Sequence, residues 1–310
     1  MLISKDKKRF STLARLLCMC LFVMLLCGCD INGATIVGSV GIDTFGDNGE
    51  GGESSEPLPT PEVFSYVDAQ GNRYHALVDQ RVERVVYDWN YLIHKKGSDE
   101  IKFDDKNYSI IKGVDVSHHN GTIDWKKVKK QGYRFAILRI GYRGYGQSGA
   151  LMVDEQFQTS FKAARKAGMK LGVYFFSQAI CEEEAIEEAE LTLRELNNSK
   201  LDLPVVYDPE LITNDSARTD GMTGEQFTKN TIAFCERIKK AGYKPMVYSN
   251  LYWEATLFDL YELRDYPIWY ADYQAVPQTP YKFEFWQYSE SGNVDGITGG
   301  TDLDVMFVKE

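Results

Sequence analysis

From Ile111 to the C-terminus, short apolar runs with the length of buried strands succeed one another, and helical stretches separate the first five of them. The last three runs follow each other over shorter links. This order predicts an α/β fold, an irregular TIM-like (β/α)5(β)3 barrel. The strand-like runs are Lys112–Val116, Phe135–Ile140, Leu171–Phe176, Pro204–Tyr207, Pro245–Tyr248, Ile268–Ala271, Phe283–Tyr288 and Leu303–Val308, and the helical stretches are Trp125–Lys130, Asp154–Ala167, Glu182–Leu196 and Gly224–Ala241.

Acidic residues close two apolar stretches: Asp115 follows Ile110–Val114, and Asp208, Pro209 and Glu210 follow Leu203–Tyr207. Side chains two residues apart on a strand point to the same side, so Asp208 and Glu210 share one space. In α/β barrels the active site forms at this end of the strands. Two close acids cannot both ionise easily, which leaves a proton donor beside an anion, the arrangement of a glycosidase. Taken alone, the triplet also fits a solvated loop.

Aromatic residues at the strand ends provide a second argument for a sugar cleft, because sugar rings present apolar C–H faces to flat side chains. Packing in the barrel interior is the alternative for these residues. Arg139 is a candidate partner for a barrel carboxylate or for a structural ion pair. The aromatic candidates are Tyr174 with Phe176, Trp269 with Tyr273, Trp286 with Tyr288, and Tyr248 as a hydrogen-bond donor near the reacting centre.

Residues 1–28 have the pattern of a secretory signal, in which basic residues precede the apolar stretch Leu16–Cys27. The ending Leu26-Cys27-Gly28-Cys29 resembles the lipobox of bacterial lipoproteins, in which the final cysteine is lipidated. This predicts lipidation of Cys29 and a lipid-anchored location on the extracellular side of the bacterial cytoplasmic membrane. Cys27 is unusual before Gly28, so ordinary cleavage or an uncleaved anchor stays open.

Two further segments precede the barrel. Residues 29–61 are rich in Gly, Ser, Glu and Pro, a composition that cannot bury enough apolar area to fold, which predicts a flexible tether. Residues 62–110 differ, because alternation at Val63–Val67, a turn at 68–72 and the run Arg73–Val78 predict a hairpin in a small accessory β segment. We expect this segment to cap the barrel of residues 111–310, with an independent binding module as the alternative.

Charge and side-chain chemistry exclude several kinds of partner. Without residues 1–28 the chain has 30 basic and 44 acidic residues, or −14 net, which does not suit nucleic acid or anionic lipid. Adjacent His118 and His119 would point to opposite sides of a strand, so no metal or other cofactor is expected. Apart from residues 1–28 and the predicted lipidation site Cys29, only Cys181 and Cys235 remain, and free thiols are favoured over a disulfide. The acidic run 182–190 predicts a solvated helix face, and we expect a monomer.

Six motifs, in order over residues 111–310, resemble the motifs of glycoside hydrolase family 25 muramidases. This resemblance implies hydrolysis of the β-1,4 bond between N-acetylmuramic acid and N-acetylglucosamine, with peptidoglycan glycan strands as the partner. The motifs are Gly113–Gly121 with Ile123-Asp124-Trp125, Phe135–Arg139, Gly172–Phe176, Asp208–Glu210, Trp269–Tyr273 and Trp286–Tyr288.

The resemblance also implies roles for individual residues. Glu210 matches the proton donor, and Asp208 matches the acid that assists attack by the substrate's own acetamido group. Asp115 would position the sugar, while Gln287 and Asp302 complete the predicted substrate-binding set. Inversion through a water nucleophile stays open, because a sequence gives no distance between the carboxylates.

This chain departs from the family pattern at two positions. Pro209 replaces an apolar or aromatic residue and lacks a backbone N–H. Asp304 stands in an Asp-x-Asp sequence where the family commonly has Asp-x-Asn. A catalytically silent peptidoglycan-binding barrel is the alternative function, which the intact Asp115, Asp208 and Glu210 disfavour. A chitinase-like barrel is disfavoured because its longer run of spaced aspartates is absent.

Overall fold

The computed structural model describes residues 61–67, 73–212 and 215–310. The predicted signal sequence, Cys29 and the tether up to residue 60 lie outside the described residues, as does the predicted turn at 68–72. Within the described ranges, no helix has both the length and the apolar character needed to span a membrane.

The N-terminal extension, residues 61–107, contains two small antiparallel sheets. The first is the hairpin that the alternating sequence predicts, with Val63 opposite Leu77. The second follows a short 3₁₀ helix. The elements are β1 (Val63–Val67), β2 (Arg73–Leu77), the 3₁₀ helix Trp89–Tyr91, β3 (Leu92–His94) and β4 (Ile101–Phe103).

Eight of the next nine strands close into a barrel. The remaining strand, β7, pairs only with β6, at the rim of the barrel. The strands are β5 (Tyr108–Val116), β6 (Phe135–Arg143), β7 (Leu151–Val153), β8 (Lys170–Ser177), β9 (Val205–Pro209), β10 (Pro245–Asn250), β11 (Ile268–Ala271), β12 (Phe285–Gly292) and β13 (Thr301–Lys309). Barrel neighbours from β5 to β12 are parallel. Strand β13 is antiparallel to both β12 and β5 and thereby closes the barrel.

A helix follows each of the first five barrel strands: α1 (Trp125–Lys130), α2 (Phe157–Ala167), α3 (Glu182–Leu196), α4 (Gly224–Lys240) and α5 (Leu251–Thr256). Local chemistry sets their ends. Asp124 caps α1 by accepting from the backbone N–H groups of Lys126 and Lys127. Gly168 ends α2 with a left-handed φ of 74°. The predicted (β/α)5(β)3 architecture is confirmed, and the short α5 and β7 of the barrel domain and the β3–β4 pair of the extension were not predicted.

Close packing inside the barrel depends on a glycine in the first strand. The ring of Phe135 on β6 lies against Gly113 on β5, and a Cβ at Gly113 would stand 2.1 Å from that ring. No side chain can occupy such a space without displacing the aromatic ring. The glycine just before the Val114-Asp115 pair therefore allows β5 and β6 to pack closely beside the site.

The N-terminal extension covers the outer face of the last strands, where none of the helices in the described ranges lies. Tyr87 stacks on Phe307 with ring centroids 3.9 Å apart, and its hydroxyl donates to the carbonyl of Phe283 at 2.6 Å. The ring of Trp89 is nearly parallel to that of Phe283 and meets Trp286 edge-on. The extension thus supplies apolar cover that helices supply elsewhere in the barrel.

The acidic run of α3 is solvated only in part, so the prediction for it is wrong at one position. Glu188 is fully buried and accepts hydrogen bonds from Arg143 Nε at 2.7 Å and Ser177 Oγ at 2.6 Å. Burial raises the pKa of Glu188 to about 7, against the effect of those two donors. Cys181 and Cys235 are both free thiols.

Candidate active site

Four of the predicted site acids meet at one end of the barrel. Asp115 lies near the end of β5, Asp208 near the end of β9, and Glu210 directly after β9. Asp302 lies near the start of β13, which is antiparallel to β5, so that Asp302 is opposite Asp115 in the strand register. Parallel strands and one returning strand therefore bring acids that are far apart in sequence to a common rim.

Asp208 and Glu210 differ in their surroundings. Asp208 is 4% exposed, and its Oδ1 has no hydrogen-bond partner among the described residues. Burial, followed by the charges of Glu210 and Asp115, raises the pKa of Asp208 well above its usual range. Glu210 is partly exposed, yet burial of its carboxyl raises its pKa to about 7, against the nearby charge of Arg139. The pair therefore retains a proton close to neutral pH.

Asp115 is held by an amide that links three strands and the rim. Gln287 on β12 donates from Nε2 to Oδ2 of Asp115 at 2.8 Å. Its Oε1 accepts from the hydroxyl groups of Tyr248 and Tyr273, each at 2.8 Å. Both donors to the Gln287 oxygen fix the amide so that its N–H₂ group faces Asp115. Tyr248 therefore donates to a positioning amide, near the reacting centre where it was predicted.

Asp302 and Asp304 surround Asp115 from β13. Each carboxyl is in hydrogen-bonding contact with the side chain of Asp115. Burial, followed by the charge of Asp115, raises the pKa of Asp302 to about 9. Burial likewise raises the pKa of Asp115 well above its usual range, and the charge of Asp304 adds to the shift. Near neutral pH this group of acids carries protons rather than a full set of charges.

Arg139 pairs with an acid that sequence reasoning did not single out. Its Nε donates to Oδ2 of Asp154 at 2.9 Å, and its second terminal nitrogen contacts Nδ1 of His118. The backbone N–H of His118 also donates to Asp154. Despite burial, these donors lower the pKa of Asp154. Arg139 is therefore paired with Asp154, and it acts on Glu210 through its charge rather than through a direct ion pair.

Glu210 is fixed through its backbone. The side-chain amide of Gln178, directly after β8, donates to the backbone carbonyl of Glu210 and accepts from Thr219 Oγ1 at 3.1 Å. Pro209 occupies the last position of β9 and lies opposite Ser177 in the β8–β9 register. Proline cannot donate a backbone hydrogen bond, so the chain is not held by an N–H group at Pro209. The hydrogen bond from Gln178 holds it at the next residue, Glu210.

The family model "Glycosyl hydrolases family 25" matches residues 114–297, which contain Asp115, Asp208 and Glu210. The chain belongs to this family. It is accordingly a glycoside hydrolase. The site acids Asp115 and Asp208 lie near the C-terminal ends of its barrel strands β5 and β9, and Glu210 follows β9 directly.

Three similar proteins illustrate the range of this family 25 likeness. The uncharacterized protein YegX of Escherichia coli (strain K12) is 30% identical over 205 residues, which are 63% of this chain and 69% of YegX. The autolytic lysozyme of Clostridium acetobutylicum is 26% identical over 63% of this chain and 55% of its own length. The autolysin LytC from Streptococcus pneumoniae, solved with a synthetic peptidoglycan ligand, has the same fold, with a TM-score of 0.57 and 24% identity. That match covers 79% of this chain and 56% of LytC.

Not all predicted aromatic residues of this family 25 barrel face the cleft. Trp269 is 1% exposed inside the barrel and donates from Nε1 to Asp304 at 2.9 Å. Trp286 is fully buried, and its ring meets Trp89 of the N-terminal extension and Tyr288. Because Gln287 points inward, Trp286 and Tyr288 lie on the opposite face of β12. Their prediction as cleft residues is therefore wrong in orientation.

The remaining aromatic candidates stay available to a sugar. Tyr174 is partly exposed, and its ring is edge-on to that of Trp269 at 6.2 Å. Phe176 is partly exposed on the same strand, opposite Asp208 in the register. Tyr273 is 46% exposed while its hydroxyl is held by Gln287. These three rings, two on β8 and one just after β11, border the acids and are the better candidates for sugar stacking.

The two adjacent histidines lie in a 3₁₀ helix, His118–Asn120, and not on a strand as predicted. Their rings lie 4.0 Å apart instead of pointing to opposite sides, because the turn brings them onto one surface. Among the residues that the structure describes, no group of three potential metal ligands is found. His118 instead contributes to the environment of Arg139 and Asp154.

Sequence reasoning missed Asp154 and Gln178 as site residues. Gln178 follows β8 directly. The other candidates were singled out because they lie at the end of a strand, and the same criterion applies to Gln178. Asp154 follows β7, a rim strand that the sequence did not predict. A polar residue directly after each barrel strand was the available signal for Gln178, whereas only the hairpin of β6 and β7 brings Asp154 back to Arg139.

Proposed function

We propose that this glycoside hydrolase is a muramidase that cleaves the β-1,4 bond between N-acetylmuramic acid and N-acetylglucosamine in peptidoglycan. The observation that carries the proposal is the pair of acids at the end of β9. Glu210, whose pKa is about 7, is partly open to the cleft beside the buried Asp208. Family 25 membership and the lysozyme name of the clostridial relative support the same substrate.

In this proposal Glu210 donates a proton to the glycosidic oxygen as the bond breaks. A carboxyl with a pKa near 7 is both protonated often enough and acidic enough for that step. Gln178 holds the Glu210 backbone, and Gln287 holds Asp115. Asp115 would then orient the sugar at the reacting centre.

Asp208 has one of two roles after the proton is transferred. It orients and stabilises the acetamido group of N-acetylmuramic acid as that group attacks the anomeric carbon, which retains configuration. Alternatively it activates a water, which inverts configuration. The anomeric form of the first product, observed by NMR during digestion, distinguishes the two roles.

The test is digestion of purified peptidoglycan by the chain and by Glu210→Gln, with mass spectrometry of the released fragments. We expect fragments that end in reducing N-acetylmuramic acid from the unmodified chain and at least a hundredfold less, by the usual size of general acid catalysis, from the variant. Glu254→Gln is the matched control, because Glu254 is a buried acid that accepts from Thr279 outside this site. Glycan binding without release by the unmodified chain would favour a silent binding barrel.

We further propose that the chain is exported and anchored to the extracellular side of the cytoplasmic membrane through a lipid on Cys29. The support is the sequence Leu26-Cys27-Gly28-Cys29 after an apolar stretch of signal length. In the bacterial cell, Cys29→Ala should abolish incorporation of labelled fatty acid, and Cys27→Ala should retain it. Equal labelling of both variants would contradict the anchor.

A further inference from the structure

Asp304 is the most deeply placed acid of the barrel. It is fully buried, and its Oδ1 accepts from Trp269 Nε1 at 2.9 Å. The carboxyl also contacts the side chain of Asp115 and faces the backbone N–H of that residue. Its Oδ2 is buried and has no hydrogen-bond donor among the described residues. An orphaned carboxylate oxygen of this kind is costly, unless a proton lies on it or on the acid beside it.

The charges around the pair do not favour two anions. No Lys, Arg or His of the described chain forms an ion pair with Asp115 or Asp304, and Arg139, whose charge acts on Asp208 and Glu210, is paired with Asp154. The other titratable groups that face the pair are neutral or negative: Asp302 on β13, Asp208 and Glu210 on or after β9, Tyr174 on β8 and Tyr248 on β10. The charge of Asp304 also raises the pKa of Tyr133, before β6, and of Tyr288, on the opposite face of β12.

We propose that Asp115 and Asp304 form a dyad that shares one proton near neutral pH, and that this proton fixes the Asp115 carboxyl, making Asp304 a positioning residue. Asp115 then receives Gln287 on one side and the shared proton on the other. Burial raises the pKa of both acids, which agrees with this arrangement. Because the two acids titrate together, the proton belongs to the pair and not to either residue.

The shared proton has a consequence for catalysis that rests on the proposed function. When it is lost at alkaline pH, two adjacent anions repel each other, and Asp115 keeps the Gln287 amide but loses the donor on the side of Asp304. Above the dyad's pKa, log kcat/KM should therefore fall more steeply with pH, because the proton of the dyad is lost in addition to that of Glu210. In Asp304→Asn the amide donor does not titrate, so the profile should lose the dyad's proton, while Glu210 and Asp302, whose pKa is about 9, still titrate.

The first experiment is independent of activity and uses the full chain. Infrared difference spectra between the unmodified protein and Asp304→Asn at pH 7 should contain the C=O stretching band of a protonated carboxyl, and the band should disappear at higher pH. Absence of the band would overturn the shared proton whether or not the chain cleaves peptidoglycan. Circular dichroism establishes that the variant is folded.

The second experiment tests the positioning role. We expect Asp304→Leu, which has similar volume but no donor, to lower kcat/KM at least tenfold below Asp304→Asn. The limiting alkaline slope of log kcat/KM should be smaller by one proton in Asp304→Asn than in the unmodified chain. Glu254→Gln, a control at a buried acid elsewhere, should keep the slope of the unmodified chain. Equal activity of Asp304→Leu and Asp304→Asn, or an unchanged slope in Asp304→Asn, would overturn the positioning role.

Discussion

Gln287 and Asp115 are joined by a 2.8 Å hydrogen bond, although 172 residues separate them in the chain. Strands β5 and β12 are not neighbours in the sheet, since β13 lies between them. The contact therefore crosses the end of the barrel and connects the acid on the first strand to Tyr248 and Tyr273. An amide in this position orients a carboxyl without adding a charge to a site already crowded with acids.

Replacement of Gln287 by Leu should impair catalysis more than folding. The change leaves Asp115 without its amide donor and leaves the Tyr248 and Tyr273 hydroxyl groups without their acceptor. A cost of about 1–3 kcal/mol in transition-state stabilisation corresponds to roughly a five- to 150-fold fall in kcat/KM on peptidoglycan. The exposed Gln274→Leu is the matched control and should be fully active. Equal kinetics for the two variants would contradict a role for this amide.

Activity should fall as pH rises through about 7, the pKa of Glu210. The sign follows from the chemistry, because a general acid must hold its proton and loses it above its pKa. We expect log kcat/KM to decrease by about one per pH unit above this value. The profile is measured with soluble glycan fragments, so that changes in the charge of the cell wall do not contribute. A flat profile from pH 6 to 8 would exclude Glu210 as the acid.

The buried ion pair of Glu188 and Arg143 should be essential to stability. Glu188→Ala leaves the Arg143 charge buried beside Ser177, and breaking a buried pair in this way costs about 3–5 kcal/mol. The paired measurement is Glu187→Ala, which removes an exposed carboxylate that also contacts Arg143 and should cost less than about 1 kcal/mol. Both free energies of unfolding come from urea denaturation. Similar values would mean that Arg143 is solvated.

The N-terminal extension should stabilise the barrel through Tyr87. Tyr87→Ala removes the stacking on Phe307 and the hydrogen bond to the Phe283 carbonyl, with an expected loss of about 3 kcal/mol or more. Tyr91→Ala, at a 42% exposed position of the same extension, should change stability by about 0.5 kcal/mol or less. If the two variants unfold at the same urea concentration, the extension does not contribute to the barrel's stability.

The order of strands and helices could be predicted because each buried strand is a compact apolar run and each early helix is amphipathic. The same reasoning placed Asp115, Asp208 and Glu210, since acids directly after strands must lie at one end of a parallel barrel. Short elements escaped prediction. Strand β7 and helix α5 have three and six residues and too little periodicity to be recognised.

Side-chain partners could not be predicted, because they depend on contacts between distant strands. Trp286 and Trp269 both lie within apolar runs, yet one faces the extension and the other faces Asp304. Alternation fixes which residues share a face, but only the position of Gln287 shows which face is inside. Arg139 likewise pairs with Asp154 through a rim hairpin, and Glu188 is buried within a run that is otherwise typical of a solvated helix.

The outer face of β12 and β13, which the N-terminal extension covers, determines how this catalytic unit could be exchanged between proteins. The family 25 match begins at residue 114, but the rings of Phe283, Phe307 and Trp286 are covered by residues that come before it. A unit transplanted from residue 114 onward would expose an adjoining set of aromatic rings to water and favour self-association. Recombination that moves this hydrolase intact must therefore carry Tyr87 and Trp89 along with the acids.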